Sequence, residues 1–219
     1  MAERRNIAVI GLGAFGSAIA RELVRMGDRV IGIDLDAKVV DTLNGELDAV
    51  IQADATDLKV LDHAGLDGCD AVIVAIGDDM QASLLTTMQA MKVGVKHLFV
   101  KAQTPEHGQI LTAMGVQNLL QPEQAYALRM AQLLHNPAMQ DFMNLGNGNY
   151  VAAMRTPPAA NCRTVSDIDL KSYDLSCVGI DIGERIITAL DLGAHPLGVD
   201  DRLVLVGKRD DLRRFALTG

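Results

Sequence analysis

Short apolar runs alternate with stretches of helical period along the first 135 residues. The apolar runs are Ile7–Ile10, Arg29–Ile33, Ala49–Gln52, Ala71–Ile76, His97–Lys101 and Asn118–Leu120. Several are unbroken in Val, Ile and Ala rather than alternating with polar residues. That pattern predicts parallel strands covered on both faces. Helices are predicted between and after them, over Ala14–Met26, Ala37–Asn44, Leu58–Ala64, Asp79–Lys92, Pro105–Met114 and Pro122–His135. Gly27 ends the first helix, where a residue free to take positive φ is favoured. Six strands joined by helical crossovers predict a doubly wound parallel sheet in the order 3-2-1-4-5-6.

The pattern then changes. A stretch rich in Ala, Leu and Met runs from Tyr126 to Met143, and Asn136-Pro137 is expected to break or kink it. Methionines on such a helix suit either core filling or an adaptable contact surface. Leu145-Gly-Asn-Gly-Asn149 reads as a turn or linker. Short β-like runs follow at Tyr150–Met154, Ser176–Ile182, Ile186–Asp191 and Arg202–Gly207, with short helices at Thr164–Leu170 and Asp210–Phe215. The expected organisation is a first domain over 1–140, a linker over 141–149, and a small α+β domain over 150–219.

Composition narrows the function. Of 219 residues 49% are hydrophobic, which is ample for a packed core, but aromatics are only 3% and Trp is absent. The core must be aliphatic, and stacking platforms for single-stranded nucleic acid are lacking. A net charge of −8 argues against neutralising nucleic-acid phosphates or docking directly on anionic lipid. No apolar run approaches the ~20 residues that span a bilayer. Met1–Asn6 leads straight into the first strand, so no signal segment is expected. Cys69, Cys162 and Cys177 have no metal or redox spacing and fit a reducing cytoplasm.

The chemistry concentrates at Ile7-Ala-Val-Ile-Gly-Leu-Gly-Ala-Phe-Gly16, followed after the second strand by Asp34. Strand, GxGxxG turn, helix, strand and acid, in that order, make a Rossmann nucleotide site. Gly11 permits the tight turn, Gly13 lets a phosphate approach the backbone, and Gly16 lets the helix pack closely on the sheet. The helix N-terminus offers amides to phosphate, and Asp34 offers acceptors to ribose hydroxyls. Ligands of such sheets lie at the strand C-termini. There the sequence places Gln52–Asp57, Ala75–Asp79, Lys101 and Gln121-Pro-Glu123. Lys101 reads as a phosphate contact or a solvated charge, and Glu123 as a site residue or a favourable helix-start charge. Asp78-Asp79 and Asp200-Asp201 read as caps or turn closers rather than metal ligands. The five histidines are scattered, with no metal or catalytic spacing.

Val9–Gly16, Gly32–Asp36, Ala53–Thr56, Val74–Gly77, Gln81–Ser83, Val100–Gln103 and Gln121–Glu123 together resemble the RCK N-terminal domain. More closely, they resemble the cytoplasmic regulatory subunits of Ktr/Trk-type potassium uptake systems. Asp181–Gly207 resembles the RCK C-terminal domain. The resemblance implies a non-enzymatic subunit that binds ATP, ADP or NAD(H), with Mg²⁺ as a possible companion. It implies a dimer, assembled into an octameric ring, docked on the cytoplasmic face of a separate potassium pore. It also implies that the helix after strand six makes the dimer contact. By position, Gly11, Gly13, Ala14, Phe15 and Gly16 fall on the phosphate loop, and Asp34 and Asp36 on the ribose side. Asp54, Ala55, Thr56, Ile76 and Gly77 fall on the adenosine pocket. Lys101 matches the strand-five lysine, and Glu123 an acid near a divalent cation between subunits. Ala14 departs from the Arg common in ATP-gated members, which leaves NAD(H) open. Val165–Lys171 departs from the cyclic di-AMP pattern at Ser166 and Lys171. The alternative readings are a small NAD-dependent oxidoreductase and a redox-sensing nucleotide-binding module.

Overall fold

The structure is a computed structural model and describes residues 4–135, 138–188 and 191–217. The chain divides into two compact units, Met1–Ala125 and Tyr126–Gly219.

The first unit is a six-stranded parallel sheet in the order β3-β2-β1-β4-β5-β6, as the sequence predicts. Its strands are β1 (Asn6–Ile10), β2 (Arg29–Asp34), β3 (Ala49–Gln52), β4 (Ala71–Val74), β5 (Leu98–Lys101) and β6 (Asn118–Leu120). Its helices are α1 (Ala14–Arg25), α2 (Ala37–Leu43), α3 (Leu58–His63), α4 (Met80–Val93) and α5 (Pro105–Ala113), and α6 (Pro122–His135) runs across the division after Ala125. Alternate residues of each central strand enter two separate cores. Ala8, Ile10, Val72 and Val74 pack with Ile33, Leu61 and Leu111 on one face. Val9 and Ile73 pack with Leu12, Ala20, Val30 and Leu43 on the other. Burial on both faces is why these strands read as continuous apolar runs. Ile10 lies opposite Ile33 on one side and Val74 on the other, so three strands end together and their loops share one edge.

The second unit is an antiparallel sheet in the order β10-β9-β11-β8-β7. Its strands are β7 (Met139–Gly146), β8 (Asn149–Arg155), β9 (Ser176–Asp181), β10 (Ile186–Thr188) and β11 (Arg202–Lys208), followed by α7 (Arg209–Ala216). Leu203 and Leu205 of the central strand point into a core with Met154, Ile180, Leu212 and Phe215. The Phe215 and Tyr173 rings meet in a T-shaped contact with centroids 5.5 Å apart.

Three expectations change here. The helical pattern from Tyr126 stops as helix at His135, and Met139–Gly146 is a strand instead. The segment 141–149, expected as a linker, is most of a strand plus the turn of a hairpin. The helix expected over Thr164–Leu170 is two short 3₁₀ turns, Val165–Asp167 and Leu170–Tyr173. The side chains of Thr164 and Asp167 close the first turn reciprocally. Asp169 starts the second by accepting the Ser172 amide. Such local side-chain bonds favour short turns over a continuous helix. The break expected at Asn136-Pro137 lies outside the described residues. α6 buries no side chain fully, and Tyr126, Leu128 and Leu134 are exposed.

Candidate functional site: a cleft at the strand ends

Gly11 leaves β1 at φ +87°, and its amide donates to the Ile33 carbonyl at 2.8 Å. A side chain there is excluded on two counts. The φ is left-handed, and a Cβ would meet the Ile76 nitrogen at 3.0 Å. At Gly16 a Cβ would fall 1.9 Å from the Gly11 carbonyl oxygen, so the first turn of α1 presses directly on the glycine loop. Gly13 differs from both. A Cβ there would meet nothing within 4 Å, because Gly13 faces open space in the cleft.

Gly13 is also the N-cap of α1, and it offers no side-chain bond to the helix. The caps of α2, α3, α4 and α5 are Asp36, Asp57, Asp79 and Thr104, and each accepts a backbone amide of its own helix. α1 therefore begins with its amides free of a side-chain acceptor, next to the cleft. Such a terminus favours an anion.

The cleft has a volume of about 380 Å³. Gly11, Gly13, Asp34 and Asp36 line it from one side, and Asp54, Ala55, Thr56, Ile76 and Gly77 complete the predicted set. Asp34 accepts the Leu12 amide at 2.6 Å and the Asp36 amide at 2.9 Å. Asp54 accepts both the hydroxyl and the amide of Thr56, at 2.7 and 2.9 Å. These bonds, the hydroxyl's above all, hold the Asp54 carboxyl below its ordinary range.

The remaining predicted residues form a second group outside the cleft lining. Lys101 is nearly buried, and its ammonium binds the Glu123 carboxylate at 2.7 Å. The same ammonium lies over the Phe15 ring, 5.6 Å from its centroid. It sits 3.2 Å from where a Cβ on Gly77 would be, so Gly77 makes room for it. Glu123 starts α6, and the Lys101 hydrogen bond holds its carboxyl below the ordinary range. Gly16 is withdrawn beneath the loop, and neither it nor Ala14 lines the cleft.

The cleft wall also holds residues that the site prediction omits: Asp78, Asp79, Ala82 and Thr86. Asp79 caps α4 by accepting the Ala82 amide at 2.9 Å, the capping role expected of it. Asp79, Ala82 and Thr86 recur at i, i+3 and i+7, which puts three small residues on one helical face. Thr86 is fully buried, and its hydroxyl has no hydrogen-bond partner.

Among the described residues, no group of three or more His, Cys, Asp or Glu side chains is placed to hold a metal ion. Glu123 is paired with Lys101. His195 pairs with Asp201 at 3.0 Å in the second unit, and Asp201 closes a turn by accepting the Gly198 amide. Burial pushes the thiol pKa values of Cys69 and Cys177 up, which suits inert packing.

Residues 7–122 match the TrkA-N domain. The chain is 31% identical over 213 residues to the Ktr system potassium uptake protein C of Bacillus subtilis, covering 97% of this chain and 96% of that protein. It is 31% identical to the Ktr system potassium uptake protein A of Vibrio alginolyticus, covering 95% and 94%. Among solved structures, the GsuK RCK domain superposes with a TM-score of 0.67 at 15% identity, covering 99% of this chain and 48% of the other. The GsuK channel bound to NAD gives 0.63 at 15% identity, covering 96% and 38%. At that identity the two structures speak for the fold, a Rossmann-like sheet followed by a separate antiparallel unit. With a TrkA-N match over half its length and Ktr relatives aligned nearly end to end, the chain belongs to the Ktr/Trk family of RCK regulatory subunits of potassium uptake.

Proposed function

We propose that this chain is a non-enzymatic regulatory subunit that binds an adenine nucleotide, ATP/ADP or NAD(H), and thereby controls a membrane potassium pore. The observation that carries the reading is the uncapped start of α1 at Gly13, opening on a cleft that also presents Asp34. A phosphate fits the first and ribose hydroxyls the second. The orphan Thr86 hydroxyl on the cleft wall is a further group that a polar ligand would satisfy.

Regulation needs little energy. A ligand that binds one arrangement of the subunits more tightly than another by about 1–3 kcal/mol shifts the pore between states. The relatives are Ktr system potassium uptake proteins, which supports a membrane pore partner of Trk/Ktr type for this chain. Self-association into a dimer and an octameric ring, with α6 as the dimer contact, belongs to the same reading. Exposed Tyr126, Leu128 and Leu134 on α6 suit such a contact. Among the described residues no helix is long and apolar enough to cross a membrane. The reading puts the chain at the cytoplasmic face, held there by its pore partner. A net charge of −8 complements the basic cytoplasmic loops of a membrane protein.

The test is calorimetric titration of the nucleotide-stripped protein with ATP, ADP, NAD⁺ and NADH, followed by co-purification with the pore subunit at rising salt. Saturable binding of at least one nucleotide, together with pore capture that weakens with salt, is expected. Absence of binding by all four would remove the nucleotide reading. Turnover of NADH with an oxidisable or reducible substrate would replace it with the oxidoreductase.

A further inference from the structure

We infer that the cleft selects against polyphosphate charge, and that Glu123 enforces the selection by occupying Lys101. The inference rests on the nucleotide reading above and names which nucleotides the site favours.

Five carboxylates line the cleft, Asp34, Asp36, Asp54, Asp78 and Asp79, and no Lys, Arg or His among the described residues lines it with them. Four of the five accept backbone amides, which keeps them as oriented acceptors. Asp78 is exposed, and no hydrogen bond or ion pair joins it to another described residue. The wall is thus acidic, and attraction for phosphate comes from the open amides of α1. Those amides act over the first turn only. Phosphates beyond their reach meet a negative surface.

Lys101 stands beside this region, and its ammonium lies against Gly77 at the rim. It is already bound. The Lys101 side chain is 11% exposed and Glu123 63% exposed, so the lysine is fixed and the glutamate is the member free to leave. A triphosphate that sought Lys101 would have to displace Glu123 and then sit beside it. NAD⁺ carries less net charge than ATP, because its nicotinamide ring offsets part of the pyrophosphate. It needs only the α1 amides and the Asp34 side of the cleft. The geometry therefore favours a dinucleotide of low net charge over ATP when no cation accompanies the ATP.

The experiment compares dissociation constants for NAD⁺ and ATP in Mg²⁺-free, low-salt buffer, for the wild type, Glu123→Gln and Asp78→Asn. Melting temperatures check that each variant folds. The wild type is expected to bind NAD⁺ more tightly than ATP. Glu123→Gln keeps the shape of the side chain but frees the Lys101 charge. It is expected to tighten ATP by about tenfold, the scale of one charge-assisted hydrogen bond, while NAD⁺ moves by less than about twofold. Asp78→Asn touches an unpartnered exposed acid, so it folds even if the other variant does not. It is expected to tighten ATP about threefold relative to NAD⁺. A wild type that prefers ATP overturns the inference, and so does an ATP:NAD⁺ ratio unchanged in the variants. Weaker ATP binding in Glu123→Gln also overturns it, because Glu123 would then serve the nucleotide rather than compete with it. If the wild type binds neither nucleotide, the site reading itself fails, and that result is distinct from the others.

Discussion

Leu12 donates its amide to Asp34 at 2.6 Å, and this bond ties the glycine turn to the end of β2. The second Asp34 oxygen takes the Asp36 amide at 2.9 Å. The carboxylate is therefore aimed before any ligand arrives, and little ordering remains to be done on binding.

Asp34→Ala removes both roles at once. Loss of hydrogen bonds from ribose to a charged acceptor costs about 1.5–3 kcal/mol, so nucleotide affinity is expected to fall tenfold or more. The Leu12 and Asp36 amides then turn to water or go unpaired, lowering stability by about 1 kcal/mol. Titration calorimetry and thermal melting read the two effects separately. Unchanged affinity in a folded variant would take Asp34 out of the site.

Gly13 and Gly16 stand three residues apart and predict opposite outcomes. A methyl on Gly13 enters open cleft, so Gly13→Ala should fold with near wild-type stability yet lose nucleotide binding where the phosphate is to lie. A methyl on Gly16 meets the Gly11 carbonyl oxygen, and Gly16→Ala should lose about 3 kcal/mol or fail to fold. Denaturant melts with binding assays decide it. Equal stability of the two variants would contradict the packing described.

The hairpin β7–β8 turns on Asn147-Gly148, with φ +51° and +76°. Two central residues with positive φ make the type I′ turn that Asn-Gly favours. Gly148→Ala forces a Cβ into the left-handed region and should cost the second unit about 1 kcal/mol. Asn147→Gly should be neutral or slightly stabilising. Thermal melts that rank the two variants in the reverse order would show that the turn is not set by φ.

That turn also shows where the sequence misled. Asn147-Gly148 is a strong short-range hairpin signal, but it sits in Leu145–Asn149, whose glycines equally suit a linker. The strand before it, Met139–Gly146, lacks clear alternation because it is an edge strand with most side chains in solvent. Its Met and Leu content therefore reads as the continuation of α6. The parallel sheet was legible for the opposite reason. Its central strands are buried on both faces and leave unbroken apolar runs, and Asp or Thr caps mark four of its helices. The glycine turn and the Asp34 position were legible because each demands a particular residue type. Thr86 was not, because a threonine in a helix carries no mark until the fold brings it to the cleft. The Lys101–Glu123 pair lay equally hidden. Both residues could be singled out one by one, but their contact across 22 positions depends on β5 and α6 meeting.

His107 gives the last prediction, one of pH. It is fully buried in α5, its Nδ1 accepts the Gln103 amide at 3.4 Å, and its Nε2 has no partner. Burial lowers its pKa from the ordinary 6.5, so the folded protein holds it neutral. The unfolded chain takes up a proton near that ordinary value. Below it the unfolded state binds more protons than the folded one, and stability falls with pH. The stabilisation is complete above about pH 6.5 and is lost as pH drops toward the folded pKa. One group sets a limiting slope of about 1.4 kcal/mol per pH unit. Asp54 and Glu123, with lowered pKa values, add a separate loss in more acid solution. Urea melts between about pH 7 and pH 5 should show the first slope in the wild type, and it should be absent in His107→Gln. The acid loss should remain in both proteins. A slope that persists in the variant would place the titrating group elsewhere.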